Sequence, residues 1–230
     1  GQAKNEVYRR APVLPGDNVG RTADDTAYII YTSGTSGLPR AVVHAHRAVW
    51  ARRMMWEGWY GLRESDRLLH AGAFNWTYTL GTGLTDPWAI GATAIIHTGP
   101  TTRGIWADIA ARHHPTIFAA VPGVYRQLLS SGADLAAGFR DLRHGLSAGE
   151  ALPPRIAQAW RDATGTRIHE ALGMSEVSTY ASERPGAVRA AAVAVDVIHC
   201  IAALNASGGL LVASLMADFV ANSLNDQFAV

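Results

Sequence analysis

Four short stretches carry residue types that could act on a charged small molecule. Thr32-Ser33-Gly34-Thr35-Ser36-Gly37-Leu38-Pro39-Arg40 concentrates hydroxyls and glycines and closes on one cation. Glycines let backbone N–H groups turn toward an anion, hydroxyls add hydrogen bonds, and a guanidinium neutralises charge. Such a loop is a polyphosphate cradle, although the same composition also serves as a plain connection between apolar runs. It lacks the G-x-x-x-x-G-K-[ST] spacing of a Walker A loop. Phe74-Asn75-Trp76-Thr77-Tyr78 offers three aromatic rings around one amide, a fit description of a pocket wall for a ring-sized acid. The same aromatics could equally be core. Ser147-Ala148-Gly149-Glu150 and Gly173-Met174-Ser175-Glu176 each pair small residues with a carboxylate. Read alone, the first is a strand-to-helix turn and the second a helix cap.

Gly145-Leu146-Ser147-Ala148-Gly149 also fits the nucleophile-elbow pattern G-x-S-x-G, with Asp196 and His199 following in hydrolase order. An elbow runs straight into a helix, whereas Glu150-Ala151-Leu152-Pro153-Pro154 intervenes here. Asp196 and His199 also stand too close together to arrive on separate late loops. A Ser147-based hydrolase is therefore the lesser reading, and it leaves the Thr32–Arg40 loop unexplained.

These stretches need elements to position them. Ala27–Tyr31 is apolar and β-rich, and Ala41–Val43 makes a second short strand. His46 to Trp59 reads as a helix burying Val49, Met54 and Trp56. Strand candidates then alternate with helix candidates: Arg67–His70, a helix over Tyr78–Ile90 loosened by Gly81, Gly83 and Pro87, Ala92–Ile96, and a helix over Gly104–Arg112. Thr116–Ala119, a helix over Gly123–Ser130, Leu142–Leu146, a helix over Pro153–Thr164, and Arg167–Glu170 complete the series. Such alternation predicts an α/β fold with a mostly parallel sheet and flanking helices. All four stretches follow strands, and in an open sheet the carboxyl ends of the strands line one ligand crevice.

Taken together, Y-T-S-G-T-S-G-x-P-R at Tyr31–Arg40, L-S-A-G-E-A-L-P at Leu146–Pro153 and A-L-G-M-S-E-V-S at Ala171–Ser178 resemble the ordered motifs of adenylate-forming enzymes. That superfamily contains the acyl-CoA synthetases, luciferases and peptide-synthetase adenylation domains. Arg40 stands where Lys is usual and Ala41 where Gly is usual, which keeps the charge. The text from Ala71 to Ala94 looks like CoA ligases for benzoate-type or cyclohexanecarboxylate-type acids, with medium-chain acids also open.

The resemblance implies a two-step reaction. A carboxylate attacks the α-phosphate of ATP to give an acyl-adenylate and pyrophosphate, and CoA then displaces AMP. It implies that Thr32, Ser33, Gly34, Thr35, Ser36, Gly37 and Arg40 grip the phosphates. Ala148, Gly149 and Glu150 would border the nucleotide, together with Leu172, Gly173 and Met174. Ser175 would bond the α-phosphate and Glu176 would hold Mg²⁺, so that Thr32, Arg40, Ser175 and Glu176 form the catalytic set. Phe74, Asn75, Trp76 and Tyr78 would line the acid pocket. ATP or AMP, Mg²⁺ and CoA are the expected ligands and co-substrates.

The resemblance runs from about Asp24 to Arg189, so residues 1–23 are expected to be a leader or linker and 24–189 a partial core. Residues 190–230 read as a divergent apolar tail. The family's T-G-D-type segment for the ribose hydroxyls is not found, and no lysine follows Lys4 to act as the C-terminal cap lysine. The expectation is thus an incomplete ligase, with a non-catalytic nucleotide-binding remnant as the alternative. A net charge of +1 argues against nucleic acid. The single cysteine, Cys200, argues for a reducing, cytoplasmic compartment. No apolar run reaches the roughly 18 residues of a membrane span.

Overall fold

The strands and helices fall largely where the apolar periodicity puts them, with one change of topology. In the computed structural model, residues 20–32, 39–102, 104–176, 178–182 and 185 are described. Most of the glycine loop, Ser33–Gly37, and the tail over 190–230 lie outside them. Strands β1 (Thr26–Thr32) and β2 (Arg40–Ala45) pair antiparallel as a separate two-stranded sheet, with Thr32 opposite Arg40. The first strand is therefore not part of the main parallel sheet, contrary to the expectation from alternation. A loop as short as 33–39 can join antiparallel neighbours, whereas a parallel crossover needs a dozen residues or more.

The main sheet has strand order β4-β3-β5-β6-β7-β8. Strands β3 (Arg67–Ala71), β4 (Thr93–Ile95), β5 (Ile117–Ala120), β6 (His144–Ser147) and β7 (Ile168–Met174) run parallel. Strand β8 (Ser178–Ser182), which the sequence did not reveal, closes one edge antiparallel to β7. Every residue of β5 is buried, as expected of a central parallel strand covered on both faces.

The pleat sends alternate residues into two cores. Leu69, Ala71, Phe118 and Ala120 face a cluster with Tyr125, Phe139 and Trp160. That cluster draws on helices α5 (Ile105–His113), α6 (Pro122–Leu129), α7 (Leu135–Gly138) and α8 (Pro154–Thr164). Leu68, Ile117, Ala119 and Leu146 face the other way, onto Met55, Trp59 and Tyr60.

The segment expected as one helix over His46–Trp59 is two, α1 (His46–Ala51) and α2 (Arg53–Gly58), meeting at Arg52. Met55 is buried there and Met54 is 74% exposed, the reverse of the expected register. The second loosened helix is α3 (Thr77–Leu80), a π-helical turn over Gly81–Thr85, and α4 (Asp86–Ala89). At the amino ends of the strands, the Asp66 carboxylate accepts from Arg143 at 2.5 and 3.0 Å and from Thr116 Oγ1 at 2.6 Å. Burial works against that carboxylate's charge, but these donors hold its pKa below the usual value.

Candidate functional site

Three of the four stretches sit at the carboxyl ends of main-sheet strands, and the ends of the fourth, Thr32 and Arg40, belong to the β1–β2 hairpin. The residues expected to form the last motif loop belong partly to β7 itself, which extends through Gly173 and Met174 and leaves Ser175–Glu176 as the turn into β8. Gly173 is required there: a Cβ on it would lie 2.6 Å from the Ser178 carbonyl oxygen and 3.1 Å from Thr179 Cα. The pairing is irregular between Leu172 and Gly173, and Ser178 is left-handed with φ 62°.

The hairpin reaches this turn through one side chain. His44 of β2, 8% exposed, places Nε2 2.7 Å from the Ser175 carbonyl oxygen, so that nitrogen is the donor. Its ring stacks on Tyr28 of β1 with centroids 4.7 Å apart. Among the described residues no cluster of three or more His, Cys, Asp or Glu could hold an ion. At the hairpin's loop end Thr32 Oγ1 donates to the Arg40 carbonyl at 3.5 Å, and the Arg40 side chain is exposed.

Tyr28, His44, Arg52, Met55, Glu176 and Ser178 line a cavity of about 180 Å³. Arg52 is 4% exposed and Asp86 fully buried. The guanidinium donates to both Asp86 oxygens, at 3.0 and 3.1 Å from Nε and 2.6 Å from Nη2. Tyr60 donates its hydroxyl to Asp86 at 2.8 Å, Trp56 Nε1 donates at 3.3 Å, and Arg52 Nη1 donates to Ser178 Oγ. Burial opposes the charge on Arg52, but Tyr60 and Asp86 outweigh it and raise its pKa. Burial, then the Asp86 carboxylate, pushes the Tyr60 phenol well up. The sequence reading missed Arg52, Asp86 and Ser178. One signal was present: Arg52 stands on the stripe of Ala48, Met55 and Trp59, a charge where helical spacing calls for an apolar residue.

The loop after β6 lies against the β5–α6 junction. Gly149 is left-handed, with φ 97°, and Glu150 is exposed, its Oε1 3.9 Å from where a Cβ on Gly123 would be. Ala148 is buried, and Leu172 and Met174 are half-buried. Ser147 is the last residue of β6 and fully buried, and helix α8 starts only at Pro154. A nucleophile elbow presents its serine on an exposed strained turn into a helix, so the hydrolase reading is not supported; Asp196 and His199 lie outside the described residues.

The expected aromatic wall is only partly assembled. Phe74 is half-buried, Asn75 is exposed and Trp76 is 55% exposed. Tyr78 instead turns into the core, donating to the Leu146 carbonyl at 3.3 Å and packing edge-on to His70 at 4.4 Å. The Leu146 carbonyl accepts from Tyr125 as well, at 2.9 Å, and the Tyr78 ring also packs against Trp59 with centroids 5.9 Å apart.

These features define an α/β protein whose motif residues lie at the carboxyl ends of parallel strands and on the adjoining hairpin. The model of the AMP-binding enzyme family matches residues 2–201, and the chain belongs to that family. It is 41% identical over 175 residues to a 3-hydroxybenzoate–CoA/4-hydroxybenzoate–CoA ligase of Thauera aromatica, covering 75% of this chain and 33% of that protein. Among solved structures, anthranilate CoA ligase AuaEII in complex with anthranoyl-AMP superposes with TM-score 0.67 at 32% identity, over 73% of this chain and 33% of that one. A benzoate CoA ligase from Burkholderia xenovorans LB400 gives TM-score 0.67 at 30% identity, over 74% and 34%. The chain thus spans about a third of the length of the relatives it matches. Among the described residues, no helix is long and apolar enough to cross a membrane.

Proposed function

We propose that this chain carries the phosphate- and nucleotide-binding part of a ligase that activates an aromatic carboxylic acid as its acyl-adenylate for transfer to CoA. The observation that carries this reading is the hydrogen bond from His44 to the Ser175 carbonyl, which joins the β1–β2 hairpin bearing Thr32 and Arg40 to the Ser175–Glu176 turn after β7. Membership of the family and similarity to hydroxybenzoate, benzoate and anthranilate CoA ligases support the acid class.

In this reading Thr32, Ser33, Gly34, Thr35, Ser36, Gly37 and Arg40 hold the phosphates, and the cation offsets charge that collects on the leaving pyrophosphate. Ala148, Gly149 and Glu150, with Leu172, Gly173 and Met174, border the nucleoside. Ser175 orients the α-phosphate, so that the acid is held for in-line attack rather than left to encounter it by diffusion. Glu176 is an exposed carboxylate on the cavity wall. A single hard oxygen suits Mg²⁺, which commonly keeps water and phosphate oxygens as its other ligands. Bound there, the ion would supply charge neutralisation at the phosphates. Phe74, Asn75 and Trp76 face the acid, and Tyr78 supports them from the core.

The test is nucleotide binding by the 230-residue chain, followed by ATP–pyrophosphate exchange with benzoate, hydroxybenzoates, anthranilate, cyclohexanecarboxylate and medium-chain acids. ATP should bind more tightly with Mg²⁺. Arg40→Ala and Glu176→Gln should each weaken MgATP binding about ten-fold or more, the scale of a lost charge-assisted hydrogen bond. Absence of nucleotide binding, or variants that bind as the wild type does, would refute the reading. Acid-dependent exchange would retire the non-catalytic remnant, and binding without exchange would favour it.

A further inference from the structure

We propose that His44 and Arg52 are positioning residues for the turn between β7 and β8, holding Glu176 at a set distance from the phosphate-loop hairpin. The proposal rests on the reading of Glu176 given above. An exposed carboxylate on a short turn can swing, and three features oppose that here. His44 fixes the turn's first residue through the Ser175 carbonyl, and the stack on Tyr28 fixes the His44 ring. Arg52 reaches Ser178 on the far side of Glu176 through Nη1. Close backbone approach at Gly173 pins the strands on which the turn stands.

Arg52 acts as a strut rather than as an anion ligand. Its Nε and Nη2 are committed to Asp86, with Tyr60 and Thr82 at 2.9 and 3.5 Å from Nη2, so its charge is already matched inside the protein. Only Nη1 points to the turn. Ser178 takes that hydrogen bond while holding a left-handed conformation that a non-glycine residue adopts at a cost. His44, Arg52, Glu176 and Ser178 all border one cavity. The clamp thus grips Ser175 and Ser178 and leaves the carboxylate between them facing open space.

Three variants separate this from ordinary scaffolding. His44→Phe keeps a ring for Tyr28 and loses the donor; His44→Gln retains a donor; Ser178→Ala removes the acceptor and leaves the Arg52–Asp86 pair intact. Amide hydrogen exchange over 171–182 is read with β5 as internal reference, and ATP affinity is read with and without Mg²⁺. His44→Phe and Ser178→Ala should speed exchange in the turn and weaken MgATP binding, each about ten-fold, while Mg²⁺-free ATP binding changes less than about two-fold. His44→Gln should stay near wild type. Unchanged exchange, or equal weakening of both ATP forms, would overturn the proposal. Wild-type MgATP binding that the variants leave intact would sink this proposal alone. A wild type that binds no nucleotide would sink the proposed function and this assignment together.

Discussion

Removing Asp86 should be among the most damaging single changes in this chain. Asp86→Ala deletes the acceptor of three Arg52 contacts and of the Tyr60 and Trp56 donors, and leaves a guanidinium at 4% exposure with no carboxylate. Breaking one partner of a buried pair costs about 3–5 kcal/mol, because the other charge stays desolvated. For a chain of this size each kcal/mol lowers the unfolding midpoint by about 2–4 °C, so a fall on the order of 10 °C is expected. Arg52→Met should cost a similar amount, since the buried Asp86 carboxyl then has only Tyr60 and Trp56 donating. The double replacement, Arg52→Met with Asp86→Leu, should recover most of the loss, because it removes both charges and fills the space with apolar atoms. Tyr60 would keep Thr82 Oγ1 at 2.9 Å as a partner. Urea unfolding of the wild type, Arg52→Met, Asp86→Leu and the double variant closes the cycle, with a coupling of about 3 kcal/mol or more expected. A single-variant loss below about 1 kcal/mol, typical of a solvated surface pair, would show that the pair is not desolvated and refute the reasoning.

Acidification should destabilise the fold through two buried imidazoles. Burial lowers the pKa of His70 to about 3, and burial with the Arg143 charge lowers that of His144 to about 4, both from 6.5. Between pH 6.5 and these values the unfolded chain binds more protons, so stability is full above about pH 6.5 and falls as pH drops toward 4. By pH 5 each histidine accounts for about 2 kcal/mol, and His70→Leu should flatten the pH dependence by about that amount in urea unfolding at pH 7.5 and 5. An unchanged pH dependence in the variant would refute this. Gly173→Ala should cost about 1–3 kcal/mol, because its Cβ meets backbone rather than a side chain that can move. Gly58→Ala in α2, where nothing lies within 4 Å, should be neutral or slightly stabilising in the same thermal unfolding assay.

The alternation of strands and helices and the order of the motif loops are legible in the residues alone. Both are local properties: periodicity, turn chemistry and the run of residue types within a few positions of one another. The sequence could not say that β1 pairs with β2 apart from the main sheet, because a strand's partner is not encoded in its own apolar run. Nor could it find β8, whose Ser178-Thr179-Tyr180-Ala181-Ser182 carries no apolar run or alternation and pairs antiparallel with β7. One shift of helical register moved Met54 out and Met55 in, since a stripe's phase depends on what it packs against. The site shows the same division. Residues that repeat a loop's chemistry were legible, whereas Arg52 and Asp86, 34 positions apart, and His44 and Ser175, 131 apart, meet only in the folded chain. Tyr78 packs between Trp59 and His70, and its hydroxyl reaches the Leu146 carbonyl, neighbours 19, 8 and 68 positions away that meet only once the sheet has formed.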